Sequence, residues 1–596
     1  MARSTVLISL GILSVFVVLL LYSLTPKPTP AQAVKAQFIQ EINELDSAVS
    51  QLQKTLANQP ASNQAIQDAF KKARLAYKRV EFLSAYYSPE TTKALNGSNL
   101  PDIDDDLRVN EPSGFQVLEE LIFPAIDASS TKEAIHQAAV LRANTNRLRK
   151  ISEGNEVTDS HIFDAMRLEL FRLISLGITG FDSPVALQSL PETASALESL
   201  KHQLAHYQLT DREPDLALQI DKAFSEAVTS LQSGGTFNEF DRLSFIKDRA
   251  NVLGRLLFRA QNSLQIPVFT EYRLLRPSAQ TLTDSNAFDP NFFVNTNQQR
   301  ATPERIALGK QLFYDPILSG NAGRSCASCH QPDRAFTDGE SKSMALGFGG
   351  RRALRNAPTL INAALQAAQF ADSRVVFLED QASDVIQNKE EMHGSLPMAV
   401  RALQQDAHYR TLFTSAYDGT ITESSLKNAI ASYVRSLIDL DSRVDRYLRD
   451  QSAELTAEEK RGFNLFMGKA SCATCHFFPL FNGTVPPAYL ESESEVIGTP
   501  ATKEGKQLDK DVGKFVMTQR EPHRHAFKTP TIRRVAKTAP YMHNGVYQTL
   551  DEVVDFYNEG GGGGLGLTLA NQTLPAKKLN LTPTEKKALI AFMNAL

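Results

Sequence analysis

Apolar residues recur at helical spacing through the first half of the chain. Phe38, Ile42, Leu45, Val49, Leu52 and Leu56 follow one another at steps of 4, 3, 4, 3 and 4, which is one apolar stripe on a helix. Ile66, Phe70, Ala73, Tyr77 and Val80 repeat the pattern just beyond Asn58-Gln59-Pro60. A short turn between two striped helices implies a bundle. Similar stripes run from Val140 to Ile151, Phe163 to Leu176, Leu197 to Tyr207, Leu216 to Leu231 and Leu243 to Leu264. No sustained strand-like alternation interrupts them, so residues 31–275 are expected to form an all-helical domain. Residues 276–302, rich in Asn, Thr, Pro and Asp, read as a linker. Helical runs return at 426–448 and at LTPTEKKALIAFMNAL near the carboxyl end, whereas the five glycines at 560–564 read as a flexible loop. The fold class expected is all-α throughout.

The amino-terminal stretch from Thr5 to Leu24 carries no charge and has about the ~20 residues needed to cross a hydrocarbon core. Residues 1–30 are therefore expected to be a membrane anchor, with Arg3 on the inner side and the remainder outside the cytoplasm. Ala31-Gln32-Ala33 offers a signal-peptidase pattern as the alternative, which would release a soluble periplasmic protein. A buried soluble helix is the third reading.

Composition excludes some partners. The 596 residues carry 63 Lys and Arg against 67 Asp and Glu, so no global positive field attracts a polyanion, and nucleic acid is not expected as a partner. Hydrophobic residues at 42% and charged residues at 22% match a chain whose bulk folds in water.

All four cysteines fall in two copies of one arrangement, Cys326-Ala327-Ser328-Cys329-His330 and Cys472-Ala473-Thr474-Cys475-His476. C-x-x-C-H is the attachment pattern of a c-type haem. Two thiols on one turn can each form a thioether to a vinyl group, and the adjacent imidazole then faces the iron. Disulfides would leave both histidines unexplained. Paired zinc-binding CxxC motifs lie closer together than Cys329 and Cys472. A dithiol redox motif would need a thioredoxin-like context. Two covalently bound haems are expected, on residues 303–440 and 441–596, a weak two-fold repeat of cytochrome-c-like domains.

The surrounding blocks, ALGKQLFYDPILSGNAGRSCASCH, LRNAPTLINAA, RGFNLFMGKASCATCH and FKTPTIRRVAKTAPYMHNGVYQTLDEVVDFYNEGG, resemble bacterial di-haem cytochrome-c peroxidases and their MauG relatives over residues 300–596. The resemblance implies that His330 serves the peroxide-reacting haem and His476 the electron-transfer haem. It implies Glu391 as the acid-base group and Gln381 as its active-site companion. A carboxyl group over an open iron can move a proton between the two peroxide oxygens. Glu391 read without the resemblance is a solvated acid at a helix end. The resemblance also implies a calcium ion held near Asn356, Thr538 and Pro540, each otherwise an ordinary turn residue. Hydrogen peroxide is the implied substrate, a small soluble cytochrome c or cupredoxin the implied donor, and the periplasm the implied compartment.

Three positions depart from the family pattern. Phe348 stands where a blocking distal His is found, so the first haem is expected to be open, with Met344 as the nearest rival ligand. Ala371 stands where relatives have a Trp between the haems, and the chain has no Trp. The sixth ligand of the second haem is assigned to Tyr557, fourteen residues after His543, against two alternatives: Tyr557 as a packed aromatic, and Met542 as ligand. Phe348 and Tyr557 favour MauG-like oxidation of a protein side chain as the alternative activity, and a non-enzymatic di-haem electron carrier or sensor is the third.

PSGFQVLEELIF at 112–123 resembles imelysin-type periplasmic bundles, whose GxHxxE motif presents metal-binding side chains. Gly114 and Glu119 remain, but Gln116 replaces the His and removes the best transition-metal ligand. The amino-terminal domain is therefore expected to bind or dock, and the acidic run Asp102, Asp104, Asp105 and Asp106 to be solvated surface.

Overall fold

The structure, a computed structural model, describes residues 27–58, 62–104, 106–346, 350–451 and 454–596. The expected anchor at 5–24 and Phe348 lie outside these residues. Among the described residues no helix is long and apolar enough to cross a membrane.

The first stripe becomes the helix Pro30–Ala57. Thr29 and Gln32 cap it reciprocally, and Val34, Phe38, Ile42, Leu45, Val49, Leu52 and Leu56 lie buried along it. It packs on Asn63–Tyr87 and Thr131–Gly154. Asp159–Arg172, Ser189–Ala205, Pro214–Ser233 and Asn251–Ser263 complete the bundle. Two stripes run through widened turns, Leu173–Gly177 and Ile246–Ala250.

The bundle interior also holds charge. Arg74, Lys78 and Arg172 are buried with Glu81, Glu119, Glu169, Asp182 and Glu192. Asp182 is the hub: Lys78 Nζ lies 2.5 Å from Oδ2, and Arg172 meets both carboxylate oxygens at 2.9 Å. Arg74 pairs with Glu192 and donates to the Asp182 carbonyl. Three cations face five carboxyl groups, and burial pushes Glu169 up to about 8. Neutral Glu169 relieves part of the excess negative charge.

The haem-motif region from 303 onward contains two helix crossings of one kind. Pro303–Tyr314 crosses Glu423–Arg435 at Gly309, where a Cβ would run into the Ala429 carbonyl oxygen. Ala457–Met467 crosses Pro583–Ala595 at Gly462, where a Cβ would run into the carbonyl oxygen of Ala588. Only glycine lets the backbones approach this closely. The weak repeat in the sequence is thus matched in packing.

Four expectations need correction. The helical run 426–448 breaks between Glu423–Arg435 and Arg443–Leu448, because Asn362 binds the intervening backbone at Leu437 and Asp439. Residues 560–564 form a short helix, Gly561–Gly564, in place of a flexible loop; Gly562 packs against Gly498 and the Gly563 N–H donates to Gln572. The Asn- and Thr-rich segment after 275 is irregular but packed, with Leu282, Ala287 and Phe288 buried and Phe288 edge-to-face on Tyr489. Two short antiparallel strand pairs, the hairpin Asp102–Ile103 with Val109–Asn110 and the longer-range pair Ser494–Glu495 with Phe527–Lys528, interrupt the otherwise helical fold.

One apolar core runs from the bundle into the region after 444, whereas residues 308–434 hold two smaller clusters. Asn464 fastens the larger junction by accepting from the Leu243 N–H and donating to Asp241, both at 2.9 Å.

Candidate functional site

Each CxxCH motif begins with a tight 3₁₀ turn, Cys326–Ser328 or Cys472–Thr474, which brings its two thiols and the next imidazole together. The His330 N–H donates to the Cys326 carbonyl at 3.0 Å and that of His476 to Cys472 at 2.9 Å. His330 Nδ1 donates to the Phe336 carbonyl at 2.9 Å, and His476 Nδ1 to the Pro530 carbonyl at 3.0 Å. Engaging Nδ1 as a donor leaves the lone pair on Nε2. Burial pushes both imidazoles down, His476 to about 4, so the neutral, ligating form prevails.

The four cysteines are free of disulfides. Burial pushes the thiols of Cys326 and Cys472 up to about 12, so both stay neutral. Among the described residues no three His, Cys, Asp or Glu side chains converge as a metal cage. Paired neutral thiols beside an imidazole with a free Nε2 fit a covalently held haem.

Around the first motif, Gln381 is carried by the helix Leu378–Gln387. Glu379 anchors that helix through a two-pronged pair with Arg435, 2.8 Å on both sides, and a 2.8 Å bond from Asn428. Glu391 follows on the next loop, where Asn388 Nδ2 donates to Oε1 at 2.7 Å. Burial pushes the Glu391 carboxyl up while Arg374 partly opposes it, and the negative charge of Glu391 contributes to raising the Cys329 thiol. The Glu391 loop meets the segment that leads into the first motif, where the Gly320 N–H donates to the Met392 carbonyl at 3.1 Å. Met344 is 46% exposed, and its loop is tied to this region by the Leu346 N–H, which donates to the Glu390 carbonyl.

Around the second motif, Tyr557 sits on the helix Leu550–Asn558. Burial, with the neighbouring Cys475, Cys472 and Glu495 adding to it, pushes its phenol up. Met542 offers its carbonyl to Asn356 Nδ2 at 2.8 Å. Asn356 Nδ2 also reaches the Pro540 carbonyl at 3.3 Å, whereas the Thr538 hydroxyl turns back to Val535. Two of the three residues assigned to calcium thus meet through their polar atoms, and the third side chain is engaged elsewhere.

Between the motifs, the Lys528 N–H donates to the Ala371 carbonyl at 2.7 Å. Lys528 Nζ donates to Gln366 and to the Ala368 carbonyl, and burial pulls this ammonium down to about 8. Arg355 joins Asp372 of the first half to Asp511 of the second, at 2.7 and 2.6 Å. Phe527 stacks flat on His543 with centroids 3.8 Å apart. Arg355, Lys528 and Arg374 cannot be singled out in the sequence, because isolated cations carry no spacing signal.

The family model for di-haem cytochrome c peroxidase matches residues 303–453. A cytochrome-c peroxidase, IdrP2, of Denitromonas iodatirespirans is 33% identical over 309 residues, 49% of this chain and 81% of that relative. The chain belongs to the di-haem cytochrome c peroxidase and MauG family. The methylamine utilization protein MauG of Methylorubrum extorquens is 34% identical over 297 residues, 50% of this chain and 78% of that protein. A solved MauG-like protein associated with microbial copper homeostasis is 32% identical, covering 50% of this chain and 91% of that chain, with a TM-score of 0.45. Membership implies two c-type haems.

These relatives each cover about half of this peroxidase-family chain. In the bundle, Gly114 adopts φ +99°, and a Cβ there would run into the Leu95 carbonyl oxygen. Gln116 Nε2 donates to the Asn96 carbonyl at 3.2 Å. Glu119 Oε1 accepts from Ser183 Oγ and from the N–H groups of Val185 and Ala186. The imelysin-like positions therefore brace the bundle.

Proposed function

We propose that the protein reduces hydrogen peroxide to water at the His330 haem, with electrons entering at the His476 haem from a small soluble cytochrome c or cupredoxin. The observation that carries this is the neighbourhood of Glu391 and the first CxxCH motif, with His330 Nε2 free for iron. When bound, the haem supplies a redox-active iron that accepts a peroxide oxygen. Cys326 and Cys329 hold the first group, and Cys472 and Cys475 the second.

Glu391, raised by burial, takes the proton from one peroxide oxygen and returns it to the other, so that the departing oxygen leaves as water. Asn388 holds the carboxyl group in place. Gln381 orients the peroxide from its braced helix. Tyr557 would hold the second haem's iron together with His476, where a hard phenolate would favour higher oxidation states over a thioether sulfur. Asn356, Thr538 and Pro540 would supply oxygen ligands to a calcium ion. The Phe527–His543 stack and the Ala371–Lys528 ladder occupy the region where relatives carry the inter-haem Trp.

Residues 31–275, 303–440 and 441–596 are the bundle and the two haem domains, and the chain works in the periplasm with residues 5–24 as its inner-membrane anchor. MauG-like oxidation of a protein side chain is a second reading, favoured by Tyr557 on the helix Leu550–Asn558. Stopped-flow mixing with one equivalent of peroxide separates the two. Rapid re-reduction by a cytochrome donor supports the peroxidase, whereas a long-lived oxidised state that ignores donor supports the MauG-like reading.

A further inference from the structure

We propose that Arg242 of the amino-terminal bundle raises the reduction potential of the haem on the second CxxCH motif through its buried, unpaired positive charge. Arg242 acts by its field and not by ligation. The proposal rests on the family's second haem and goes beyond the peroxidase reading, because it holds whichever substrate is oxidised.

The guanidinium lies between two segments that both reach the second motif. On one side it rests on Gly468: a Cβ built there would fall 2.5 Å from Arg242 Nη1 and 2.6 Å from Cζ. Gly468 closes the helix Ala457–Met467 and leads directly into the motif, the Ser471 N–H donating to its carbonyl at 2.7 Å. Phe466, at the end of the same helix, has its ring centroid 6.4 Å from that of the His476 imidazole. On the other side Arg242 Nε donates to the Ile178 carbonyl at 2.7 Å. Phe181, in the same turn of chain, meets Phe477 edge to face.

The charge of Arg242 has no local counterpart. Arg74, Arg242, Arg435 and Arg533 are all fully buried. Arg74 pairs with Glu192, Arg435 with Glu379 and Arg533 with Asp445. Arg242 instead donates only to carbonyls, those of Ile178 and Phe237 at 2.7 Å and of Phe240 at 3.2 Å, with the Phe237 ring 4.3 Å away. The adjacent Asp241 is exposed, and its carboxylate is engaged by Ser244 Oγ at 2.7 Å and Asn464 Nδ2 at 2.9 Å. Lys469, the next cation towards the motif, is neutralised by Glu585 at 2.8 Å. Carbonyl dipoles solvate a charge without cancelling its field, and burial leaves that field poorly screened by salt. Burial lowers Arg242 only to about 10, so it stays charged at neutral pH. A fixed positive charge disfavours ferric iron relative to ferrous, which carries one positive charge less.

Potentiometric titration of the full-length holoprotein, followed by haem absorbance, reads both potentials without turnover. The second haem's wave is the one missing after Cys472→Ser with Cys475→Ser. Arg242→Gln keeps a donor for the carbonyls but no charge. It is expected to shift that wave about tenfold towards the oxidised form at a fixed potential, about 59 mV downward for one electron, and to leave the other wave in place. Arg242→Lys keeps the charge and should hold the wave close to wild type, although both variants lose carbonyl bonds and unfold at a lower temperature. Gly468→Ala forces the guanidinium off the turn and should lower the potential in the same direction. It decides the matter should Arg242→Gln not accumulate. Equal shifts in the Lys and Gln variants would make the role structural and overturn the proposal, as would a wild-type potential in Arg242→Gln or, failing that variant, in Gly468→Ala. One haem per chain in a pyridine haemochrome assay would remove the second haem and the proposal with it. Two haems without donor-driven peroxide turnover would remove the peroxidase reading and leave the potentials to decide this one.

Discussion

The ring of Phe181 in the amino-terminal bundle meets the ring of Phe477, the residue after His476, edge to face with centroids 5.8 Å apart. Phe181 immediately precedes Asp182, the hub of the buried charge network, so the bundle's polar core and the second haem motif are two contacts apart. Phe181→Ala should cost on the order of 1 kcal/mol for the lost pair. Chemical denaturation followed through the second haem's absorbance measures it; an unchanged midpoint would show that the bundle does not support this motif.

Glu391→Gln should slow haem oxidation by peroxide by roughly 100- to 10,000-fold, because the amide cannot carry the proton between oxygens. Rapid mixing with peroxide is the check, and a wild-type rate would remove Glu391 from the mechanism.

Replacing Cys472 and Cys475 by Ser should halve the haem content read by a pyridine haemochrome assay and abolish donor-driven turnover. Full haem content in the variant would refute covalent attachment there.

Gly462→Ala forces a methyl group against the Ala588 carbonyl oxygen, in a crossing with no room for it. Overpacking of this kind costs about 1–3 kcal/mol or more. Thermal unfolding of the holoprotein should show a lower midpoint, whereas Gly154→Ala, in open space, should not move it downward.

Glu169 sets a pH dependence. Its folded-state value is raised from 4.5 to about 8 by burial, with Glu81 adding to the effect. Its contribution is therefore fully present below about pH 4.5 and declines as pH rises towards about 8, by up to about 1.4 kcal/mol per pH unit. Glu169→Gln should remove that slope from denaturation curves collected between pH 5 and 8. An unchanged slope would assign it to other groups.

Much of this protein is legible in the order of its residues. Helical stripes such as Phe38 to Leu56 are local, because a 3.6-residue period already states which face must be buried. The haem motifs are equally local, since thiols and imidazole lie within five residues. The packing partners are not legible in this way. Whether Gly309 marks a helix crossing depends on Ala429, more than a hundred positions away, and Gly462 depends in the same way on Ala588. The run at 560–564 reads as flexible because glycine frees the backbone, yet there its missing side chains let Gly562 lie against Gly498.

The sequence by itself determined the helical character of the chain, its two haem-attachment turns and the residue types available around them. Tertiary structure alone decided which carbonyls engage His330 and His476, because Phe336 and Pro530 are chosen by loop closure and carry no motif. It also decided that Arg74, Lys78 and Arg172 lie inside the bundle. An isolated cation reads as surface until its partners are known, and burying these three is tolerable because carboxylates such as Asp182 and Glu192 arrive from distant helices to pair with them.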